Sequence, residues 1–266
     1  MISIEDIRRP ISNEFEQYSK LFDATLKDDT PLLNEVLNYI HLKRGKQLRP
    51  QLVLLASQLC HGVTEKSLLS AVALELLHTA SLVHDDVVDN SPQRRGNDAV
   101  HVRWSNKVAV LVGDFLLSKV INLIAETHNI YILNAVSRIG STLASGELLQ
   151  IHANQSMWIS EEQYYKIIGQ KTASLFAACM EVGAYASGGT ARQVSALREF
   201  GWALGMCFQL KDDVFDYSDN EDLGKPTMSD IQDGKATLPL LIALQRAPKD
   251  EAEKIKKLAE AGCSAH

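Results

Sequence analysis

Prolines are few, seven in 266 residues, and runs in which apolar and polar side chains alternate are almost absent. A half-buried strand needs that alternation, so a β architecture is excluded and the periodic apolar positions point to an all-α chain. Cysteines are equally scarce. Cys60, Cys179, Cys207 and Cys263 show no metal-ligand spacing, which removes a zinc site and a disulfide framework. The first three lie in apolar surroundings expected to hold them as inert buried thiols. No apolar stretch supplies the roughly 20 uninterrupted residues of a membrane span, because Glu75, His78, His84 or lysines break the longest ones. The segment from Met1 to Pro10 is charged and has no secretory apolar stretch, so the expected compartment is the cytoplasm. A formal net charge of -6 disfavours a general nucleic-acid surface.

What remains is a chain 45% hydrophobic and 23% charged, long enough to bury a sizeable core as one domain. The spacing predicts helices over 4–26, 31–39, 48–59, 65–88, 107–126, 131–154, 161–186, 194–216, 238–246 and 250–259. Their starts are marked by Pro31 after Thr30, by Thr64-Glu65, and by Ser160-Glu161-Glu162-Gln163 as a capping box. Three polar loops stand out, at 42–47, 90–97 and 218–226.

Two aspartate clusters share one form, Asp85-Asp86-Val87-Val88-Asp89 and Asp212-Asp213-Val214-Phe215-Asp216. In each, the first and last aspartates stand at i, i+4 on one helix face, with the middle one roughly 100° around. Both follow runs too apolar for an exposed face, Leu68 to Leu77 and Gly205 to Leu210. Two such helices facing each other would aim four carboxylates into one space. That set suits Mg²⁺ shared with a phosphate-bearing ligand, because Mg²⁺ keeps waters and takes few protein ligands.

Basic groups recur at a few sharp places. Lys46 and Arg49 flank the Gly45 turn that opens a helix at Leu48, where cations and free amides attract phosphate. Arg94-Arg95-Gly96 follows the first cluster, and planar guanidinium forks suit phosphate oxygens. Lys171-Thr172 interrupts an apolar helix, Gln209 precedes Asp213 by one turn, and Lys225 and Lys235 follow the second cluster in glycine-linked loops fit to close over an anionic ligand.

From Gly45 to Pro239 these motifs, with Gly113-Asp114-Phe115-Leu116-Leu117 and Gly146-Glu147, resemble the trans-isoprenyl diphosphate synthase family. The resemblance implies the isoprenoid synthase fold, an antiparallel helical bundle around a deep central cavity, usually as a homodimer. It implies that Lys46, Arg49, His78 and Arg95 bind the diphosphate of isopentenyl diphosphate. Arg94, Lys171, Thr172, Gln209, Lys225 and Lys235 would bind the allylic diphosphate, and Asp85, Asp89, Asp212 and Asp216 would carry Mg²⁺. The implied chemistry is ionisation of the allylic diphosphate and attack by the double bond of isopentenyl diphosphate.

Ser81 and Ala80, four and five residues before Asp85, are small and lie about one turn, or 6 Å, below the metal-binding end. An open channel there predicts a long polyprenyl product, a quinone side-chain precursor. Relatives generally continue for several helices beyond the position of Gly262, so a single all-α domain over residues 1–266 lacking the family's last helices is expected. Three alternatives stay open: a short-chain farnesyl or geranylgeranyl diphosphate synthase, a class I terpene cyclase, and a noncatalytic partner subunit. The intact second cluster argues against the cyclase, and the full set of carboxylates and basic groups argues against the noncatalytic subunit.

Overall fold

The computed structural model describes residues 3–155, 158–217, 229–232 and 234–260. Helices dominate them, as the sparse prolines and helical periodicity require. In chain order they are α1 (Ile4–Arg8), α2 (Ser12–Thr25), α3 (Pro31–Leu42), α4 (Leu48–Cys60), α5 (Glu65–Val88), α6 (Val100–Arg103), α7 (Asn106–Glu126), α8 (Ile130–Asn154), α9 (Glu161–Ile168), α10 (Ser174–Ala186), α11 (Ala191–Phe215), α12 (Ser229–Gln232), α13 (Leu238–Arg246) and α14 (Lys249–Glu260). Strands β1 (Gln93–Arg94) and β2 (Asn97–Asp98) form a small antiparallel hairpin. The chain divides into two compact units, one from Met1–Gly140 and Phe176–Gly201, the other from Ser141–Leu175 and Trp202–His266.

In the first unit α5 is the centre. Its Thr64 cap accepts from the Ser67 amide while the Ser67 side chain accepts from the Thr64 amide, and residues 69–77 are all buried. That outcome follows from a helix apolar nearly all round. It packs along α7 and against α2 and α4. Close contact between α4 and α10 depends on Gly183, where a Cβ would lie 2.2 Å from the Val53 carbonyl oxygen. The Ser57 hydroxyl binds at the same place, 2.8 Å from the Gly183 carbonyl oxygen and 3.0 Å from that of Val53. Gly183→Ala should therefore force the two backbones apart and cost about 1–3 kcal/mol, read as a lowered denaturant midpoint with unchanged slope.

The second unit has its own apolar cluster of Ile231, Ala236, Leu240 and Ala259, against which Trp158, Tyr217, Leu241, Leu244 and Ile255 pack. The Trp158 indole donates to the Glu260 carboxylate at 2.8 Å, tying α14 to the segment before α9. The capping box read at Ser160 is present, with Gln163 as its partner.

Several expectations need correction. The stretch at 90–97 is a hairpin and not an open loop: Arg95 and Gly96 both take positive φ, 53° and 71°, as a two-residue turn between twisted strands demands. The helix read through 161–186 is interrupted by a π turn at Gly169–Ala173. The helix read through 4–26 is broken by a 3-10 turn, Arg9–Ile11, that contains Pro10. The run from Gly205 to Leu210 is not enclosed: Cys207 and Phe208 are exposed, so Cys207 is not a buried thiol, although Cys179 is and burial pushes it up to about 12. Apolar residues predict burial only where neighbours cover them. Finally, α5 and α7 are both long and apolar enough by length and composition to cross a membrane. Single charged residues do not cancel the mean apolarity of helices over 20 residues long. α5 is mostly buried in the first unit.

Candidate functional site

The first unit gathers a cationic cluster. Gly45 lets the Arg95 guanidinium lie on the loop backbone, since a Cβ there would meet the Arg95 Cζ at 2.7 Å. Arg95 Nη1 donates to the Lys43 carbonyl at 3.0 Å. Gln51, at the start of α4, donates to the carbonyls of Lys46 and Gln47 at 2.8 and 3.1 Å, fixing the loop from below. Gln47 and Arg95 both occupy the left-handed region, φ 49° and 53°, and such strain in non-glycine residues concentrates at ligand sites. Arg49 stacks over the Phe176 ring at 5.2 Å, and its buried Nε has no hydrogen-bond partner. Lys46 is exposed.

His78 reports the local field. Burial, then Arg49, Arg95 and Arg94, hold its imidazole well below 6.5. A depressed histidine contributes stability that is complete above its unfolded value and is lost as pH falls below it. His78→Gln should accordingly flatten the decline in melting temperature expected of the wild type as pH drops below 6.5; an unchanged acid limb would mean that His78 is not held neutral by its surroundings.

The aspartates divide by face. Asp85 is half-buried and Asp89 exposed, whereas the middle one, Asp86, is 3% exposed. Asp86 accepts from Arg94 Nε at 2.8 Å and also from Arg94 Nη2, so Arg94 is held by protein before any ligand arrives. The ring of His84 seats against α7, within 3.2 Å of the Val110 carbonyl and 3.6 Å of the Asp114 carboxylate. Gly113 makes the room, since a Cβ would fall 2.1 Å from His84 Nε2. This accounts for the Gly113-Asp114 pair.

The second unit repeats the division. Asp212 is exposed and Asp216 half-buried, while Asp213 is 4% exposed. A chain of hydrogen bonds holds Asp213: Thr172 Oγ1 donates to Gln209 Oε1 at 2.7 Å, Gln209 Nε2 to Asp213 Oδ1 at 2.7 Å, and Tyr164 Oη to Asp213 Oδ2 at 2.5 Å. Burial raises the Asp213 carboxyl and burial of Tyr164 raises its phenol. Lys171 pairs with Glu147 at 2.7 Å, and the π turn, a backbone form common at functional sites, positions both Lys171 and Thr172. Lys171, Thr172, Gln209, Asp213, Asp230 and Lys235 line one cavity of about 110 Å³. Asp230, pushed up to about 7 first by burial and then by Asp216 and Asp213, donates its backbone N–H to Asp216 Oδ2 at 3.1 Å. Lys225 lies outside the described residues.

Sequence reading missed Glu147 as the partner of Lys171, Tyr164 and Asp230. Gly146-Glu147 was visible as a motif. Tyr164 lies 49 residues from the carboxylate it binds, and nothing local to it marks that contact.

Among the described residues, no group of three or more His, Cys, Asp or Glu side chains stands close enough to hold a metal by itself. Each cluster instead offers an i, i+4 carboxylate pair, which fits Mg²⁺ binding through one or two carboxylates plus waters and phosphate oxygens. The crowding of acids around Asp230, where neighbouring carboxylates add to the effect of burial, likewise fits a site completed by a cation.

Residues 30–265 match the profile of the family described as Polyprenyl synthetase. The chain is 36% identical over 263 residues to the octaprenyl diphosphate synthase of Haemophilus influenzae, covering 98% of this chain and 80% of that protein. It is 35% identical over 268 residues to a short chain isoprenyl diphosphate synthase of Methanothermobacter thermautotrophicus, covering 98% and 82%. The crystal structure of a polyprenyl synthase from Caulobacter crescentus complexed with calcium and isoprenyl diphosphate superposes with a TM-score of 0.92 at 35% identity, covering 99% of this chain and 81% of that one.

Proposed function

Because the chain belongs to the polyprenyl synthetase family, we propose that it condenses isopentenyl diphosphate head-to-tail onto an allylic diphosphate to give a long trans-polyprenyl diphosphate. The observation that carries this reading is the recurrence, in each unit, of an i, i+4 aspartate pair and a cluster of cationic and donor groups. Lys46, Arg49, His78 and Arg95 bind isopentenyl diphosphate. Arg94, Lys171, Thr172, Gln209, Lys225 and Lys235 hold the allylic diphosphate, and Asp85, Asp89, Asp212 and Asp216 hold Mg²⁺. When bound, Mg²⁺ neutralises charge on the leaving diphosphate.

The chain's own groups do the remaining work. Glu147 fixes the Lys171 ammonium. Thr172 and Asp213 together set the orientation of the Gln209 amide. Phe208 and Phe215 share a face of α11 with Asp212 and are exposed, so an apolar wall stands beside the carboxylate where an isoprenoid tail would lie. Preorganised donors aimed at a developing negative charge are the usual largest source of such catalysis. The departed diphosphate then takes the proton that restores the double bond.

A homodimer is proposed because α7 exposes Leu111 at 67% and Ile121 at 65%. Apolar surface of this kind on a long helix is suited to an isologous contact with a second copy. The proposed compartment is the cytoplasm, in keeping with the free thiols of Cys60, Cys179 and Cys207.

Incubating the purified protein with labelled isopentenyl diphosphate, an allylic starter and Mg²⁺ and sizing the products tests the reading. Label in long polyprenyl products is expected. Label that never enters an allylic product would refute it, and label confined to short products would favour the short-chain activity named for the Methanothermobacter relative.

A further inference from the structure

One tyrosine in the second unit ties α9 to α11. Tyr164, within α9, is 3% exposed, and its hydroxyl donates to Asp213 on α11. In an unbroken α-helix Tyr164 and Thr172, eight residues apart, would point about 80° apart. The π turn closes i→i+5, from the Ser174 amide to the Gly169 carbonyl, and so turns less per residue. That brings Thr172 round toward the side of Tyr164. Both side chains line the same cavity and both reach α11, Tyr164 at Asp213 and Thr172 at Gln209, one helical turn apart.

The direction of each hydrogen bond in this chain is forced. A carboxylate only accepts, so Tyr164 and Gln209 must both donate to Asp213, one to each oxygen, at 2.5 and 2.7 Å. With its amide nitrogen turned to Asp213, Gln209 presents its carbonyl oxygen to Thr172. The single hydroxyl proton of Thr172 is taken up by that oxygen at 2.7 Å, which leaves none for a phosphate oxygen. The second N–H of Gln209 meets no acceptor among the described residues. Gln209 is only half-buried, and Lys171 and Lys235 share its cavity with Asp230.

We propose that Tyr164 is a positioning residue for the allylic diphosphate: through Asp213 it sets which way the Gln209 amide faces, so that the free Gln209 N–H, and not the Thr172 hydroxyl, donates to a diphosphate oxygen. This rests on the allylic role proposed for Lys171, Thr172, Gln209 and Lys235, and it gives them unequal parts, with Thr172 acting through Gln209. Without the Tyr164 hydroxyl, Asp213 Oδ2 is a buried acceptor that has lost its donor. The carboxylate is then free to turn, and the Gln209 amide loses the acceptor that fixes its face. Tyr164 and Thr172 bond to different residues, so their hydroxyls influence each other only by way of Asp213 and Gln209.

Calorimetric titration of the full chain in Mg²⁺ with geranyl diphosphate alone, and separately with isopentenyl diphosphate alone, tests this apart from turnover. Tyr164→Phe keeps the ring and removes only the hydroxyl. It should weaken geranyl diphosphate binding by about tenfold, the size of one lost charge-assisted hydrogen bond, and leave isopentenyl diphosphate within about twofold. A merely structural role would lower the melting temperature and leave both affinities unmoved or shift them alike, and either result overturns the proposal. Thr172→Val should weaken geranyl diphosphate from the other end of the chain, and Thr172→Ser, which keeps the proton, should bind it more tightly than Thr172→Val. Because both changes act on one amide, the Tyr164→Phe/Thr172→Val double variant should still lose only about tenfold; a loss near a hundredfold would make the hydroxyls independent and refute the relay. Equal affinities for Thr172→Val and Thr172→Ser would refute it too, and that pair decides the matter if Tyr164→Phe does not melt cooperatively. Wild-type protein that binds geranyl diphosphate but forms no prenyl product would refute the proposed function and leave the positioning role standing. Wild-type protein that does not bind geranyl diphosphate would refute both.

Discussion

Alanine at Asp85 or at Asp212 is expected to lower turnover by about 10²–10³-fold, while the metal-free protein melts no lower than wild type. The rate loss follows from removing a ligand to the cation that neutralises the leaving diphosphate, where single electrostatic contributions are worth about 10²–10³ in kcat. The unchanged stability follows from repulsion: Asp212 raises the carboxyls of Asp213 and Asp230, so its loss relieves like-charge crowding. The middle aspartates, unlike the outer ones, should lower the melting temperature when removed. Asp86→Ala strips Arg94 of its acceptor, and Asp213→Ala leaves the Tyr164 hydroxyl and the Gln209 amide unpaired, costing about 1–3 kcal/mol each. Turnover assays and melts run on all four variants separate the two classes. Low melting for the outer variants with retained turnover would reverse the assignment.

That division of labour was half legible in the sequence. The i, i+4 spacing places the outer aspartates on one face and the middle one roughly 100° around, but the sequence attached burial to the clusters as wholes. Burial falls on Asp86 and Asp213, where a guanidinium and a phenol satisfy the carboxylates. The partners are Arg94, eight residues on in the first strand of the hairpin, and Tyr164, which no local pattern connects to α11. Glu75 was read only as an interruption of an apolar run, and it is buried within α5 all the same. By contrast α5 was fully legible, capping residue included, since an all-round apolar helix has one low-energy place to be. The π turn at Gly169–Ala173 was hidden for the converse reason: its residues keep helical periodicity on both sides.

Ser81→Phe is expected to convert a long product distribution into a short, discrete one. Ser81 lies within about 40° of Asp85 around α5 and about one turn, or 6 Å, below it. It is partly exposed, and its hydroxyl donates to the His78 carbonyl at 2.9 Å, so the side chain serves no distant contact that the ring would break. A phenyl group there stands in the path of a chain growing down this face from the metal end. Ala80 offers a poorer probe than the sequence implied. It points about 140° away from Asp85 and is fully buried, so Ala80→Tyr should instead overpack the core by about 1–3 kcal/mol and lower the melting temperature. Sizing the products of both variants beside their melts discriminates the two effects. A Ser81→Phe enzyme that folds, turns over and still makes the wild-type product would show that the chain does not descend along α5, and the long-chain reading would lose its structural basis.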